Sequence, residues 1–148
     1  MISMRMSTPA DGERVVEIWR EAVDATHGFL SPEDRAAIEA EVRTFLPQAA
    51  LWLAVDAAGR PVGFMGLTDS HMDALFIDPA HRGGGVGRAL VDHAIALHGV
   101  LTTDVNAQNA QAVGFYERLG FRPTGRSALD DQGRPYPLIH MRRAPDAG

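Results

Sequence analysis

The spacing of apolar and polar positions over the first fifty residues predicts a short strand followed by two helices. Residues 2–7 are predicted to form the strand. Residues 11–25 repeat apolar side chains at helical spacing, in a stripe made of Val15, Ile18, Trp19, Ala22 and Val23. A second helix is predicted from Ser31, a preferred N-cap residue followed by proline, to Pro47. Its predicted inner face consists of Ile38, Val42, Phe45 and Leu46.

From residue 51 onward the pattern changes to strands with intervening helices. The predicted strands are 51–56, 62–67, 71–78, 101–105, 121–129 and 137–142, and the predicted helices are 86–98 and 109–119. Strands of mixed direction with helices on both faces indicate an α/β or α+β fold rather than a helix bundle or a sandwich. We predict one domain over residues 1–143 and a frayed tail over 144–148.

Composition narrows the class of protein. A chain of 148 residues, 45% of them hydrophobic, can bury the core of one domain without stabilising disulfides or metal ions. The absence of cysteine excludes disulfide scaffolds, thiolate zinc sites, iron–sulfur clusters and a cysteine nucleophile. The longest apolar run, 49–55, is far too short to span a bilayer, and the first residues lack the apolar stretch of a signal peptide. A cytoplasmic protein is therefore expected.

The charged residues add two further exclusions. The net charge of −5 disfavours nucleic acid and anionic membranes as partners. All fourteen basic residues are arginine, so the chain has neither a Walker-type phosphate-binding lysine nor a Schiff-base lysine.

A glycine-rich segment is the strongest candidate for a binding site. A predicted strand ends at Asp78-Pro79, and four glycines, Gly83, Gly84, Gly85 and Gly87, then lead into a helix. Glycines let backbone N–H groups converge, and a helix N-terminus favours negative charge, so the segment is suited to a pyrophosphate. Arg82 and Arg88 flank it. The dinucleotide pattern Gly-x-Gly-x-x-Gly fails, because its third position is Arg88 or Leu90.

The pattern that fits is Arg-x-x-Gly-x-Gly at Arg82, Gly85 and Gly87, which resembles the coenzyme A loop of the GNAT superfamily of N-acetyltransferases. A second segment is similar to that family's signature: Asn109-x-x-Ala112-x-x-Phe115-Tyr116-x-x-x-Gly120-Phe121. It follows the loop by one strand and one helix, as in the family. Segments 24–31, 61–65, 71–79 and 133–138 also resemble a bacterial member, so the resemblance covers nearly the whole chain.

The resemblance implies a GNAT fold, with a mixed, splayed sheet of about seven strands flanked by helices on both faces. The strands at 71–78 and 101–105 would begin paired and then diverge, leaving strand backbone free for acetyl-pantetheine. Acetyl-CoA is the implied co-substrate, with no metal. The implied cofactor-binding residues are Leu75, Phe76, Ile77, Arg82, Gly83, Gly84, Gly85, Val86, Gly87, Arg88, Asn109 and Tyr116.

The implied reaction is acetyl transfer from acetyl-CoA to a primary amine, of a protein lysine or a small molecule, by direct attack in a ternary complex. An amine is protonated at neutral pH, so a base must accept its proton. His71 and Asp73 are candidates because alternate strand residues share a face, unless both lie on a solvated strand edge. Tyr116 is the candidate acid for the leaving thiolate, unless it is a core tyrosine.

The region between the first two helices lines the acceptor site in this family. Asp24, His27 and Phe29 are therefore candidates for acceptor binding, against the simpler interpretation of a helix cap with a buried loop aromatic. Tyr136 is a candidate wall of the acceptor pocket, or a packing residue.

Two other functions on the same fold stay open at this stage. A non-catalytic coenzyme A or acyl-CoA-binding regulator would need the glycine loop alone, whereas His71, Asp73 and Tyr116 favour an enzyme. An aminoacyl-tRNA-acetylating toxin would need a basic face, which the net charge opposes. A Rossmann dehydrogenase comes last because its third glycine is missing. We expect no nucleic-acid or membrane partner, and either a monomer or a homodimer.

Overall fold

The helices and strands lie close to their predicted positions. A computed structural model of the chain describes residues 2–26, 28, 30–130 and 133–144. The helices of this part are α1 (Gly12–Thr26), α2 (Pro32–Phe45), α3 (Val86–His98) and α4 (Ala110–Arg118). Its strands are β1 (Ser3–Met6), β2 (Trp52–Val55), β3 (Pro61–Thr68), β4 (His71–Ile77), β5 (Leu101–Asn106), β6 (Arg122–Ser127) and β7 (Leu138–Arg143).

The seven strands form one mixed sheet in the order β1-β2-β3-β4-β5-β7-β6. The pairs β1–β2, β2–β3, β5–β7 and β6–β7 are antiparallel, whereas β4 and β5 are parallel. The β4–β5 register pairs His71 with Thr102 and Met72 with Thr103. Since β4 continues to Ile77, its register with β5 covers only the first two of its seven residues. The predicted mixed fold of about seven strands with flanking helices is confirmed.

The residues of the chain fall into two compact units according to their contacts in space. The first unit comprises residues 1–66 and 74–91, and the second comprises 67–73 and 92–148. The predicted single domain over 1–143 stays a prediction, and residues 145–148 of the predicted tail lie outside the described part of the chain.

The core of the first unit forms where the apolar stripe of α1 packs on the sheet. The predicted stripe is buried throughout, and it meets Leu51, Leu53 and Phe64. Ser31 caps α2 as predicted, with its side chain accepting a hydrogen bond from the Asp34 N–H. One predicted inner residue is wrong: Phe45 is 67% exposed. It is the last residue of α2, and the 3₁₀ turn that follows buries Leu46 instead.

The second unit shows the alternation of a strand with one buried and one open face. Leu101, Thr103 and Val105 of β5 are buried, whereas the intervening Thr102, Asp104 and Asn106 are half-buried. No helix in the described part of the chain has the length and apolar character needed to cross a membrane.

Candidate active site

The glycine loop of the first unit has the backbone geometry that its sequence predicts. Asp78 caps the 3₁₀ turn Pro79–His81, its side chain accepting from the Ala80 N–H at 3.0 Å. Gly83 and Gly85 have φ angles of +77° and +82°, in the left-handed region that favours glycine. Helix α3 begins directly afterwards, and the N–H groups of its first turn have no acceptor within the helix.

The outer side of this loop is open. Arg82 and the three glycines that follow are exposed, as is Arg88. A Cβ placed on Gly83 or Gly85 would meet no heavy atom within 4 Å. A pyrophosphate could therefore approach the backbone directly, between two arginines and at the positive end of a helix.

Arg14 of α1 holds the base of the loop, and the sequence analysis missed it. It donates through Nη2 to Asp78 Oδ2 at 2.7 Å and through Nε to the Pro61 carbonyl at 2.9 Å. Burial opposes the charge on Asp78, but the hydrogen bonds from Arg14 and the Ala80 N–H outweigh it and hold the pKa of Asp78 below its ordinary value. No spacing relates two residues 64 positions apart, so the sequence carried no signal for this pair.

The predicted pantetheine-binding segment, Leu75, Phe76 and Ile77, forms the end of β4 and is half-buried. The Phe76 ring packs 5.5 Å from that of Phe64 in the core of the first unit. Binding of pantetheine by this backbone stays a prediction.

In the second unit, the predicted candidate bases lie together on the open face of the sheet. His71 Nδ1 is 2.8 Å from Thr102 Oγ1, and His71 Nε2 is 4.0 Å from Asp73 Oδ1. Asp73 in turn accepts from Thr68 Oγ1 at 2.5 Å. His71 thus hydrogen-bonds across the sheet to β5, and the role of His71 or Asp73 as the base stays a prediction.

The structure adds a second carboxylate that sequence reasoning missed. Asp104 Oδ2 lies 3.6 Å from His71 Nε2, so two carboxylates lie near the same imidazole nitrogen. The alternation of polar and apolar residues in β5 was visible in the sequence, but the contact of Asp104 with His71 on β4 was not. Among the described residues, no three His, Asp or Glu side chains are grouped to hold a metal ion.

Tyr116 is buried in the second unit. Its ring packs edge-on against Phe115 and Phe121, with centroids 5.2 Å away in each case. Burial raises the pKa of the Tyr116 hydroxyl, and a hydrogen bond with Thr103 only partly offsets this. Thr103 itself donates to the Met72 carbonyl at 3.0 Å. The packing role is therefore visible, and the role as acid stays a prediction.

The remaining predicted site residues have structural partners or lie outside the described residues. Asn109 caps α4, accepting from the Ala112 N–H at 3.1 Å. Asp24 forms an ion pair with Arg35 at 2.9 Å. The Arg35 guanidinium also lies 4.9 Å from the centre of the Trp19 ring. Tyr136 is buried in the second unit. His27 and Phe29 lie outside the described residues, and acceptor binding by this set stays a prediction.

Comparison with known proteins identifies the family. Residues 47–123 match the acetyltransferase (GNAT) domain. The chain is 57% identical over 141 residues to the peptidyl-lysine N-acetyltransferase YjaB of Escherichia coli (strain K12), which covers 95% of this chain and 96% of that protein.

Solved structures agree. The solution structure of apo YjaB from Escherichia coli matches with a TM-score of 0.94 and 55% identity, over 99% of both chains. The PaiA N-acetyltransferase of Thermoplasma acidophilum, solved with coenzyme A, has the same fold at 19% identity and a TM-score of 0.78, over 97% of this chain and 99% of that one. The chain therefore belongs to the GNAT family of acetyl-CoA-dependent N-acetyltransferases.

Proposed function

We propose that this N-acetyltransferase transfers the acetyl group of acetyl-CoA to the side-chain amine of lysine residues in proteins, by direct attack in a ternary complex. The observation that carries the proposal is the placement of two carboxylates, those of Asp73 and Asp104, 4.0 and 3.6 Å from His71 Nε2. The name of the Escherichia coli relative, a peptidyl-lysine N-acetyltransferase, supports the same acceptor.

The acidic surroundings of His71 suit a cationic acceptor. A lysine side chain arrives as an ammonium ion, which two carboxylates attract before it reacts. His71 then accepts a proton at Nε2, provided that its Nδ1 carries hydrogen and donates to Thr102 Oγ1. The neutral amine forms the new C–N bond as the C–S bond of the thioester breaks, and the CoA thiolate leaves and takes up the second proton of the nitrogen to become the thiol.

The remaining proposed roles are those of residues that bind acetyl-CoA or assist its leaving group. The backbone N–H groups of the loop from Gly83 to Arg88 bind the pyrophosphate, and the end of β4 binds the pantetheine. Tyr116 donates a hydrogen bond to the leaving thiolate. Because burial raises the pKa of Tyr116, its phenol is a weaker acid than a thiol, so a hydrogen bond is favoured over complete proton transfer.

The test is an acceptor screen with acetyl-CoA and a synthetic peptide that has one internal lysine and a blocked α-amino group. The same peptide with norleucine for lysine is the control, and spermidine and a peptide with a free α-amino group are the competing acceptors. The enzyme has no lysine of its own, so self-acetylation on an amine is limited to its α-amino group. We expect acetylation of the lysine peptide, seen by mass spectrometry. Turnover with spermidine alone would contradict the proposal.

A matched pair of variants tests the role of His71. His71→Gln removes the proton acceptor and should lower kcat at least about 100-fold. His98→Gln changes an exposed histidine on α3 and should leave kcat unchanged. Equal activity of the two variants would show that His71 is not the base.

A further inference from the structure

We propose that His140 is a positioning residue for the acetyl transfer, and that it acts by orienting the carboxylate of Asp104 toward His71. This inference rests on the proposed function, since it takes His71 as the base. All of the residues involved lie in the second unit, on strands β4, β5, β6 and β7.

His140 and Asp104 are in contact across strands β5 and β7. The two residues are directly opposite each other in the antiparallel register of β5 and β7. His140 Nδ1 lies 2.6 Å from Asp104 Oδ1. A carboxylate only accepts hydrogen bonds, so Nδ1 must carry the hydrogen. The other oxygen of the carboxylate, Oδ2, is the one that lies 3.6 Å from His71 Nε2.

The far side of the His140 ring contacts Ser127. His140 Nε2 lies 2.6 Å from Ser127 Oγ on β6. The Asp104 carboxylate only accepts, so it places the ring hydrogen of neutral His140 on Nδ1. The Ser127 hydroxyl is compatible with this tautomer because it can donate to the bare Nε2.

Strand β6 leaves room for the His140 ring. Gly125 is paired with His140 across β6 and β7. A Cβ at Gly125 would lie 3.6 Å from His140 Cδ2, which is ordinary van der Waals contact. The β6 backbone therefore leaves room for the imidazole, and its two hydrogen-bond partners hold the ring in place.

The chemical consequence is a fixed charge beside the base. When His71 accepts the proton of the amine it becomes an imidazolium, and the Asp104 carboxylate stabilises that charge. Asp104 is only about a quarter exposed, but a single aspartate can still rotate its carboxyl group. The hydrogen bond from His140 holds one oxygen and leaves the other facing His71, much as hydrogen bonds from neighbouring residues orient the ligands of a metal ion in other proteins.

The test uses two amide variants that keep a donor at different positions. His140→Asn places its side-chain nitrogen near the position of Nδ1 and can still donate to Asp104. His140→Gln places its nitrogen near the position of Nε2, so it can bond to Ser127 but not to Asp104. With the blocked lysine peptide as acceptor, we expect kcat to fall by about tenfold or more in His140→Gln and by less than about threefold in His140→Asn. The KM for acetyl-CoA should change in neither.

A purely structural role would lower kcat or thermal stability equally in the two variants, and that result would overturn the proposal. A second readout needs no turnover. Long-range ¹H–¹⁵N correlation of the wild-type histidine rings should show the hydrogen of His140 on Nδ1. Hydrogen on Nε2 alone would also overturn it.

The His71→Gln variant separates this proposal from the proposed function. If kcat falls in His71→Gln but not in His140→Gln, the role of His140 is wrong and that of His71 stands. If His71→Gln retains the full kcat, the proposed base is wrong, whatever His140 does.

Discussion

The guanidinium of Arg14 lies 2.7 Å from the carboxylate of Asp78, and this ion pair joins helix α1 to the point where β4 ends and the glycine loop begins. Both side chains are nearly buried, with exposed fractions of 13% and 10%. The Asp78 N–H also donates to the Val62 carbonyl at 2.9 Å. The exposed loop therefore starts from a residue whose backbone and side chain are both held.

Removal of Arg14 should destabilise the protein more than removal of an exposed arginine. Arg14→Met keeps an apolar stem but removes the hydrogen-bonded ion pair of the buried Asp78. The other ion-pair partner of Asp78 among the described residues is His81, 3.7 Å away and charged only if protonated, so we expect the free energy of unfolding to fall by about 3 kcal/mol. Arg60→Met is the control, because Arg60 is 60% exposed and its contact with Glu17 is long, at 3.5 Å. It should cost less than about 1 kcal/mol in urea unfolding. Equal losses would show that the Arg14 pair adds no more than a surface pair.

The pair between Arg5 and Asp11 should make stability depend on pH. The two side chains form two hydrogen bonds of 2.9 Å. The hydrogen bond from Arg5, opposed by burial and assisted by the Thr8 N–H, lowers the pKa of Asp11 from 3.8 to about 2. A folded pKa below the unfolded one gives stability that is complete above the unfolded value and is lost as the pH falls toward the folded value.

Asp11→Asn removes this contribution, so it should lower the free energy of unfolding near neutral pH by roughly 1 kcal/mol, since Arg5 is partly screened by solvent. The difference between wild type and variant should narrow as the pH falls from about 4 to about 2. Urea unfolding at several pH values measures it. A difference that does not vary with pH would contradict the assigned cause.

Two glycines of β3 should respond differently to alanine. A Cβ at Gly63 would lie 2.9 Å from Ile77 Cδ1 and 3.2 Å from the Phe76 carbonyl oxygen, so Gly63→Ala should lower the free energy of unfolding by about 1–3 kcal/mol. A Cβ at Gly66 would meet nothing closer than 3.4 Å. Gly66→Ala should leave stability unchanged or raise it by up to about 1 kcal/mol. Thermal unfolding of both variants gives the comparison, and the reverse order would contradict the packing argument.

A side chain introduced into the glycine loop should prevent acetyl-CoA binding because it blocks the pyrophosphate, and not because it strains the backbone. Gly85→Glu should abolish acetyl-CoA binding in calorimetric titration, since the side chain would block the pyrophosphate and repel it. Gly59→Glu is a matched control in the turn before β3. Gly59 has a φ of +83° against +82° at Gly85, and a Cβ at either position meets no heavy atom within 4 Å. If both variants lose binding, backbone strain is the cause and the loop has no special role.

The hydroxyl of Tyr116 should matter for turnover and little for cofactor binding. Tyr116→Phe keeps the ring between Phe115 and Phe121, so acetyl-CoA binding should be retained while kcat falls by about tenfold or more. Tyr116→Phe also removes the hydrogen bond between Tyr116 and Thr103. Thr103→Val is the control, because it removes that hydrogen bond and leaves the tyrosine hydroxyl in place. An unchanged kcat in Tyr116→Phe would mean that another group assists the leaving thiolate.

Local signals in the sequence determined the helices, the strands and the position of the glycine loop. Helix α3 runs from Val86 to His98 as predicted, because the glycines before it and the apolar spacing within it act over a few residues. The serine cap of α2 was predictable for the same reason. The family motifs also lie within short segments, so they could be recognised without a structure.

The tertiary structure alone decided which distant side chains meet. Asp104 and His140 are 36 residues apart, and they come together because β7 pairs with β5 in one particular register. The exposure of Phe45 follows in the same way from where the chain turns after α2, which helical spacing does not specify. Periodicity assigns a residue to a face of its own element, whereas strand order and register assign that face its partner, and this is why Asp104 and His140 escaped the sequence analysis.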